Sequence, residues 1–306
     1  MPELPDLTVY IEHIANRIQG CALQKVRIGS VFLLRTYKPP ITAVHGKKVL
    51  GVKRIGKHIV LQMEESLNLV FHLMVAGRFH WRDYGFPLPK KVGLAALDFE
   101  NGTLLLTETG SKRRASLHVV FGDNGLLVFD RGGIELFETC LDGFTEVLLK
   151  EKHTLKRTLT DPRLIAGVGN AYSDEILHQA KLSPLKYSTA LTKQEIRRLY
   201  NACREVLSDW IDRLRKRTGD GFPEKVTAFQ DGMAVHGRFG KPCPVCGAPI
   251  QRIVYVENEC NYCPGCQTGG KVLADRSLSR ILKGEWPRTL KQLEELPATR
   301  RVSKTL

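Results

Sequence analysis

The residues whose type and spacing most clearly suggest chemistry are cysteines. Cys243-Pro-Val-Cys246 is followed, sixteen residues on, by Cys263-Pro-Gly-Cys266. Two such knuckles can set four thiolates tetrahedrally around Zn2+, and the metal then supplies folding energy that so short a segment lacks. Cys260 makes a competing C-x-x-C with Cys263. Both favoured knuckles share C-P-x-C, however, which puts the site on Cys243, Cys246, Cys263 and Cys266. A disulfide reading is the weaker one, because Pro2–Asp6 shows no export signal. Ile250–Val256 reads as a strand and Glu257-Asn258 as a turn, so a β-hairpin finger holding one structural zinc is expected.

A second segment runs Leu164-Ile-Ala-Gly167-Val-Gly169-Asn170-Ala-Tyr172. Its glycines permit a tight turn between two helices, and Asn170 would open the second, where backbone amides can receive a phosphate. The alternative is an ordinary glycine-rich connection. No Gly-Lys-Ser/Thr follows, which disfavours a nucleotide-binding P-loop. A third signal is the start, Met1-Pro2-Glu3-Leu4-Pro5. A small second residue lets Met1 be trimmed, leaving a secondary amine with a nucleophilic fraction near neutrality, and Glu3 beside it can act as acid or base. Taken alone, the same residues suit a plain helix entry.

The whole chain constrains the partner. Its 306 residues suit two cores plus an accessory module. A 42% hydrophobic and 25% charged composition, with no long apolar stretch, predicts a soluble protein with no membrane partner, resident in the cytosol and nucleoid. Lys and Arg number 46 against 32 acids, a net +14, which favours a polyanion such as nucleic acid. Cys21, Cys140 and Cys203 stand alone in apolar or helical contexts and are expected to be buried thiols.

The elements that must position these groups follow from periodicity. Leu7, Ile11, Ile14 and Ile18 give a helix from Asp6 to Gln19. Short β-rich runs then extend to about residue 130, including Val49–Val52, His58–Met63, Leu67–Leu73, Leu117–Phe121 and Leu126–Phe129, and predict a β-sandwich or small barrel. Thr192 and Glu195 form a capping-box signal ahead of the stripe Ile196, Leu199, Cys203, Val206, Leu207, Trp210 and Leu214. Arg215–Lys225 reads as a mobile loop. Gln267–Leu306 is basic, with helical hints at Leu278–Leu282 and Leu290–Leu296.

Pro2-Glu3-Leu4-Pro5, Gly56-Lys57, His72-Leu73 with Gly77-Arg78, Ala166–Glu175, Phe229-Gln230, Val235-His-Gly-Arg238 and the cysteine finger resemble, in this order, motifs of bacterial formamidopyrimidine-DNA glycosylases and endonuclease VIII. The resemblance covers residues 2 to 267. It implies an α+β multidomain fold: an N-terminal helix plus β-sandwich in 2–138, a helical helix-two-turn-helix domain in 139–240, a β-hairpin zinc finger in 241–267 and a basic extension in 268–306. It further implies a monomeric bifunctional DNA glycosylase and AP lyase of base excision repair, acting on damaged double-stranded DNA and also single-stranded DNA. Pro2 would attack C1′, Glu3 would protonate the opening sugar, and Lys57 would hold the flanking phosphates. Asn170 would grip a phosphate, Glu175 would stabilise its own turn, and His72 would be a backbone contact or a core-lining residue.

The chain also departs from that pattern. The wedge methionine is displaced to Met74 or replaced by Val75. Lys112, Arg113 and Arg114 stand where an aromatic-bearing loop is usual, to enter the helix or grip phosphates. Asn258 replaces a charged arginine at the finger tip, so δ-elimination is not implied, and Arg252 is left to compensate. A damage-binding protein without base excision, or a glycosylase for bulky or crosslinked lesions, are the competing readings.

Overall fold

The computed structural model describes residues 1–110, 112–224, 226–227, 229–255, 258–274 and 287–295. Helix α1 (Leu4–Ile18) starts where Pro5 suits a first turn and where Asp6 accepts the Glu3 N–H at 3.0 Å, closing a capping box. Leu7, Ile14 and Ile18 on one side of it are fully buried.

The chain forms two compact units, the first made of Met1–Gly133 with Leu207–Ala228. Its strands are β1 (Leu23–Ile28), β2 (Val49–Ile55), β3 (His58–Met63), β4 (Leu67–His72), β5 (Gly77–Arg82), β6 (Gly93–Phe99), β7 (Gly102–Glu108) and β8 (Ser116–Phe121). They form two antiparallel sheets, ordered β1-β6-β7-β5 and β2-β3-β4-β8. Leu97, Leu104 and Phe79 of one sheet share a core with Leu61, Leu69 and Phe71 of the other and with Leu7 and Ile14 of α1. The β-sandwich is therefore as expected.

One predicted strand is the end of a helix and the turn after it. Gly122, at φ 65°, ends β8, and α2 (Gly122–Leu127) follows where Leu126–Phe129 reads as β. Leu126 and Phe129, three residues apart, both pack on Val60 and Val70, a contact that a strand would split between two faces.

The predicted mobile loop is tied down instead. Helix α6 (Lys193–Thr218) runs through its first four residues, and Arg215 meets Glu12 at 2.6 and 3.0 Å. Arg17 donates to the carbonyls of Asp220 and Gly221 at 3.1 and 2.7 Å, Phe222 packs on the core, and Val226 is buried in it. Glu224 accepts from Arg82 at 2.6 and 3.1 Å and bonds His80 Nδ1. Burial would raise this carboxyl, but Arg82 and His80 hold it below its usual range.

The second unit, Ile134–Val206 with Phe229–Leu306, carries α3 (Leu141–Leu149), α4 (Leu155–Thr160), α5 (Asn170–Gln179) and the first turns of α6. The Thr192/Glu195 capping box forms in both directions, at 3.2 and 2.9 Å. The finger consists of an antiparallel hairpin, β9 (Gln251–Val254) and β10 (Glu259–Tyr262), followed by α7 (Pro264–Thr268). A helical turn spans Leu290–Glu295, while the hint at Leu278–Leu282 lies outside the described residues.

Of the three lone cysteines only Cys203 is buried; Cys21 is half-buried and Cys140 exposed. Cys140 sits at the N-cap of α3, outside the helix's apolar stripe. No described helix is long and apolar enough to cross a membrane.

Candidate functional site

In the first unit, α1 and the β-sandwich hold the N-terminal segment. Pro2 and Glu3 are buried, Glu3 at 3% exposure. The α-amine here belongs to Met1, one residue ahead of the imino nitrogen that Met1 removal would expose. Burial lowers its pKa, Glu3 and Asp6 pull it up, and Arg78 and Lys57 push it down. An amine so placed is less often protonated, hence more often nucleophilic. Lys57 lies in the two-residue turn between β2 and β3 rather than on a strand end, since Ile55 pairs with His58. Arg78, on β5, donates to the carbonyls of Gly77 and Val75 at 2.6 and 3.0 Å.

His72 ends β4. Burial and the neighbouring His58 bring its pKa down to about 4, so the ring is neutral near pH 7. Its Nδ1 accepts the Met74 N–H at 3.3 Å, which leaves the proton on Nε2. In the following turn Val75 is 66% exposed and Met74 is partly buried, so Val75 is the tip. Lys112, Arg113 and Arg114 are exposed, on a loop whose end is fixed by the buried Glu108, which accepts the N–H groups of Arg114 and Ala115 at 3.0 and 3.1 Å. The Arg113 guanidinium is bonded to the Lys91 carbonyl.

In the second unit, α4 and α5 form the helix pair. Gly167 turns the connection at φ 77°, and Asn170 is the first residue of α5, with Gly169 as its cap. The Asn170 side chain donates to the Glu259 carbonyl at 2.9 Å, so it braces the finger hairpin. Lys156, on α4, donates to Asp174 at 2.5 Å and to the Asn170 carbonyl at 2.6 Å. Asp174 also accepts from Asn261 N–H at 3.1 Å and pairs with His236 at 2.8 Å. Glu175 accepts the N–H groups of Ala234, Val235 and His236 at 2.7 to 2.9 Å; it holds that distant segment rather than its own turn.

A cleft of about 610 Å3 opens beside these groups, lined among others by Lys152, Lys156, Arg157, Asn170, Tyr187 and Asn258. Its cationic and amide rim suits phosphate. Asn258 is exposed at the hairpin turn. Arg252 lies 3.2 Å from Glu259 and over the Phe239 ring at 4.4 Å, so its charge is already engaged.

The knuckle thiols approach one another in two pairs. Cys246 Sγ lies 3.3 Å from Cys263 Sγ, and Cys243 Sγ lies 3.8 Å from Cys266 Sγ. A tetrahedron with zinc–sulfur bonds of about 2.3 Å has edges of about 3.8 Å, so the set fits such an ion. Gly265 leaves the room it needs: a Cβ there would stand 2.9 Å from Cys246 Sγ. Burial pushes the Cys263 thiol up, so thiolates here call for a cation. His178, on α5, joins the cluster: its ring nitrogen and the sulfurs of Cys243, Cys263 and Cys266 lie within 4.8 Å of one another. Cys246 and Cys260 lie outside that group: Cys246 Sγ is close to Cys263 Sγ, whereas Cys260 is buried among Ile253, Tyr262 and Leu273.

Sequence reading alone does not single out Asp6 or Lys156, and it gives Arg78 and Asp174 only as members of quoted motifs, with no role of their own. The spacing of Asn170, Asp174 and His178 along α5, each four residues from the next, is the signal that marks that face.

Residues 1–127 match the formamidopyrimidine-DNA glycosylase N-terminal domain and residues 136–219 the formamidopyrimidine-DNA glycosylase H2TH domain. A formamidopyrimidine-DNA glycosylase of Thermus thermophilus is 33% identical over 288 residues, covering 88% of this chain and 100% of that protein. An uncharacterized formamidopyrimidine-DNA glycosylase-like protein of Mycobacterium tuberculosis is 40% identical over 151 residues, 49% of this chain and 94% of that one. Among solved structures, a Lactococcus lactis Fpg complexed with abasic-site DNA superposes with a TM-score of 0.77 at 25% identity, covering 87% of this chain and 99% of that chain. With its buried Pro2-Glu3 start, its helix pair and its cysteine finger on one polypeptide, the chain belongs to the formamidopyrimidine-DNA glycosylase family.

Proposed function

We propose that this chain is a DNA glycosylase and AP lyase of base excision repair, which excises an oxidised base and cuts the strand by β-elimination. The observation that carries the reading is the Pro2-Glu3 pair, buried at the head of α1 with Lys57 and Arg78 in electrostatic reach of the terminal amine. After loss of Met1, the lone pair of the Pro2 nitrogen attacks C1′ and the bond to the base breaks, the base leaving with its electron pair. Glu3 protonates the ring oxygen as the sugar opens to an iminium. That cation acidifies the C2′ proton; the Glu3 carboxylate left after ring opening takes it, the electron pair forms the C2′–C3′ double bond, and the C3′–O bond breaks to release the 3′-phosphate.

Lys57 and the cleft cations Lys152 and Arg157 are assigned to phosphates, with Lys156 held in its buried pair with Asp174, and His72 is assigned to a neutral Nε2–H contact. Lys112, Arg113 and Arg114 are assigned to the DNA surface. Zn2+ would be held by Cys243, Cys246, Cys263 and Cys266 and would supply folding energy to the 241–267 finger. The chain acts as a monomer on duplex DNA.

Borohydride reduction with lesion-bearing duplexes tests this. A covalent complex is expected from the native chain and none from Pro2→Gly or from protein retaining Met1; a native chain that binds but never traps would overturn it. A second reading, damage binding without excision, is favoured by the neutral Asn258 tip and the engaged Arg252. Tight binding without trapping would select it.

A further inference from the structure

One face of α5 meets the finger at three successive turns. Asn170 donates to the Glu259 carbonyl at 2.9 Å, Asp174 accepts from Asn261 N–H at 3.1 Å, and His178 Nε2 lies 3.3 Å from Cys243 Sγ. The first two contacts reach the β-hairpin and the third reaches the thiol cluster. His178 is 6% exposed, so its ring exchanges little with water at this contact.

Cys243 Sγ also receives the Val245 N–H at 3.5 Å, and Cys263 Sγ the Cys266 N–H at 3.4 Å. Four thiolates on one dication leave a net charge of minus two, and N–H donors spread that charge over neighbouring dipoles. A metal-bound thiolate offers only lone pairs. The His178 contact is therefore a hydrogen bond when Nε2 carries the proton. The four sulfurs fall into two close pairs, Cys246 with Cys263 at 3.3 Å and Cys243 with Cys266 at 3.8 Å. The missing Cβ at Gly265 makes room for the sulfur of Cys246, and four sulfurs on zinc leave no place for a nitrogen ligand.

We propose that His178 is a positioning residue for the metal centre, donating its Nε2–H to the Cys243 thiolate and so locking α5 to the knuckle. This rests on the reading of the cysteine cluster as a zinc site. Its consequence is mechanical: beside the Asn170 and Asp174 contacts to the hairpin, the metal-held Cys243 gives α5 a third anchor, at the knuckle.

The test compares the full-length native chain with His178→Phe, which fills the space without a donor, and His178→Gln, which keeps one. Zinc content is measured first, then the rate of zinc transfer to a chromophoric chelator. The expected result is one zinc per chain throughout, release about tenfold faster from His178→Phe, the scale seen for outer-shell partners of metal ligands, and near-native release from His178→Gln. Equal rates in all three would overturn the donor role while leaving the zinc reading intact. A native chain without zinc would overturn both.

Cobalt substitution checks the coordination. The all-sulfur ligand-field spectrum is expected to survive His178→Phe and to change in Cys246→Ser; the reverse would make His178 a ligand and sink the proposal. Should His178→Phe fail to fold, nitrogen NMR of the native zinc-bound chain decides, since an Nδ1–H tautomer at His178 is incompatible with donation from Nε2.

Discussion

Lys156 reaches from α4 to Asp174 on α5 at 2.5 Å, with the lysine side chain 10% exposed and the aspartate not at all. A buried pair of this kind contributes little over an apolar pair, but breaking it leaves a charge without a partner. Asp174→Ala strands the Lys156 ammonium and also removes the acceptor of Asn261 N–H and the partner of His236. The expected loss is about 3–5 kcal/mol, read as a lower urea midpoint for the unit that carries α4 and α5. A midpoint within about 1 kcal/mol of native would show that the pair is dispensable.

Asp6 gives the protein a pH dependence of unusual sign. Burial pushes its carboxyl up to about 7, against the N–H it accepts from Glu3, while Glu3, the terminal amine and Arg78 are the charges that face it. The folded state keeps a proton that the unfolded chain has lost above about pH 4. This contribution is therefore fully present below about pH 4 and declines as pH rises to about 7. Asp6→Asn keeps an acceptor and removes the titration, so the decline, a few kcal/mol in size, should flatten. Urea titrations between about pH 4 and 8 measure it, and an unchanged slope in the variant would assign the effect elsewhere.

The elements with a local cause were legible in the sequence. The α1 stripe, the Thr192/Glu195 box and the His58–Met63 strand are written in adjacent residues, and so are the cysteine knuckles. The misses share a cause at long range. Leu126–Phe129 forms a helix end and a turn because both apolar groups dock on Val60 and Val70, which no local pattern records. Arg215–Lys225 reads as loose because Gly and charge dominate it. Its tethers, Arg82 and His80 to Glu224, come from 142 and 144 residues away. Of the candidate site, the motif residues were readable. The supports Asp6, Lys156 and His178 were not, and Arg78 and Asp174 were visible only as motif members without a role, since each gains its role from a partner that the fold supplies.

Those tethers make Glu224 testable. Glu224→Gln weakens the pairing with Arg82 and His80 while keeping the shape, so the Gly219–Glu224 stretch should open more often. Amide hydrogen exchange in Gly219–Glu224 is expected to accelerate several-fold at unchanged global stability, because the carboxylate is 38% exposed and its pairs are partly solvent-screened. Identical exchange in native and variant chains would mean that Phe222 and Val226 suffice to hold the segment.

Asn258 offers a gain of function. Its carbonyl accepts the Tyr255 N–H at 2.7 Å, so the backbone holds this end of the turn and the side chain is open to exchange. Arg252 cannot serve as the tip's cation while it pairs with Glu259 and covers Phe239. Asn258→Arg places a new charge on the exposed turn at the rim of the cationic cleft. If the tip meets a phosphate, the slope of log affinity against log salt steepens by about 0.9 for duplex DNA. Anisotropy titrations of an abasic-site duplex at several salt concentrations read this directly. The same variant should shift the cleavage products toward δ-elimination, because a cation beside the departing phosphate stabilises the charge that develops on it. A steeper slope without a product shift would place the tip on the backbone but away from the scissile phosphate. An unchanged slope would remove the finger tip from the DNA contact altogether.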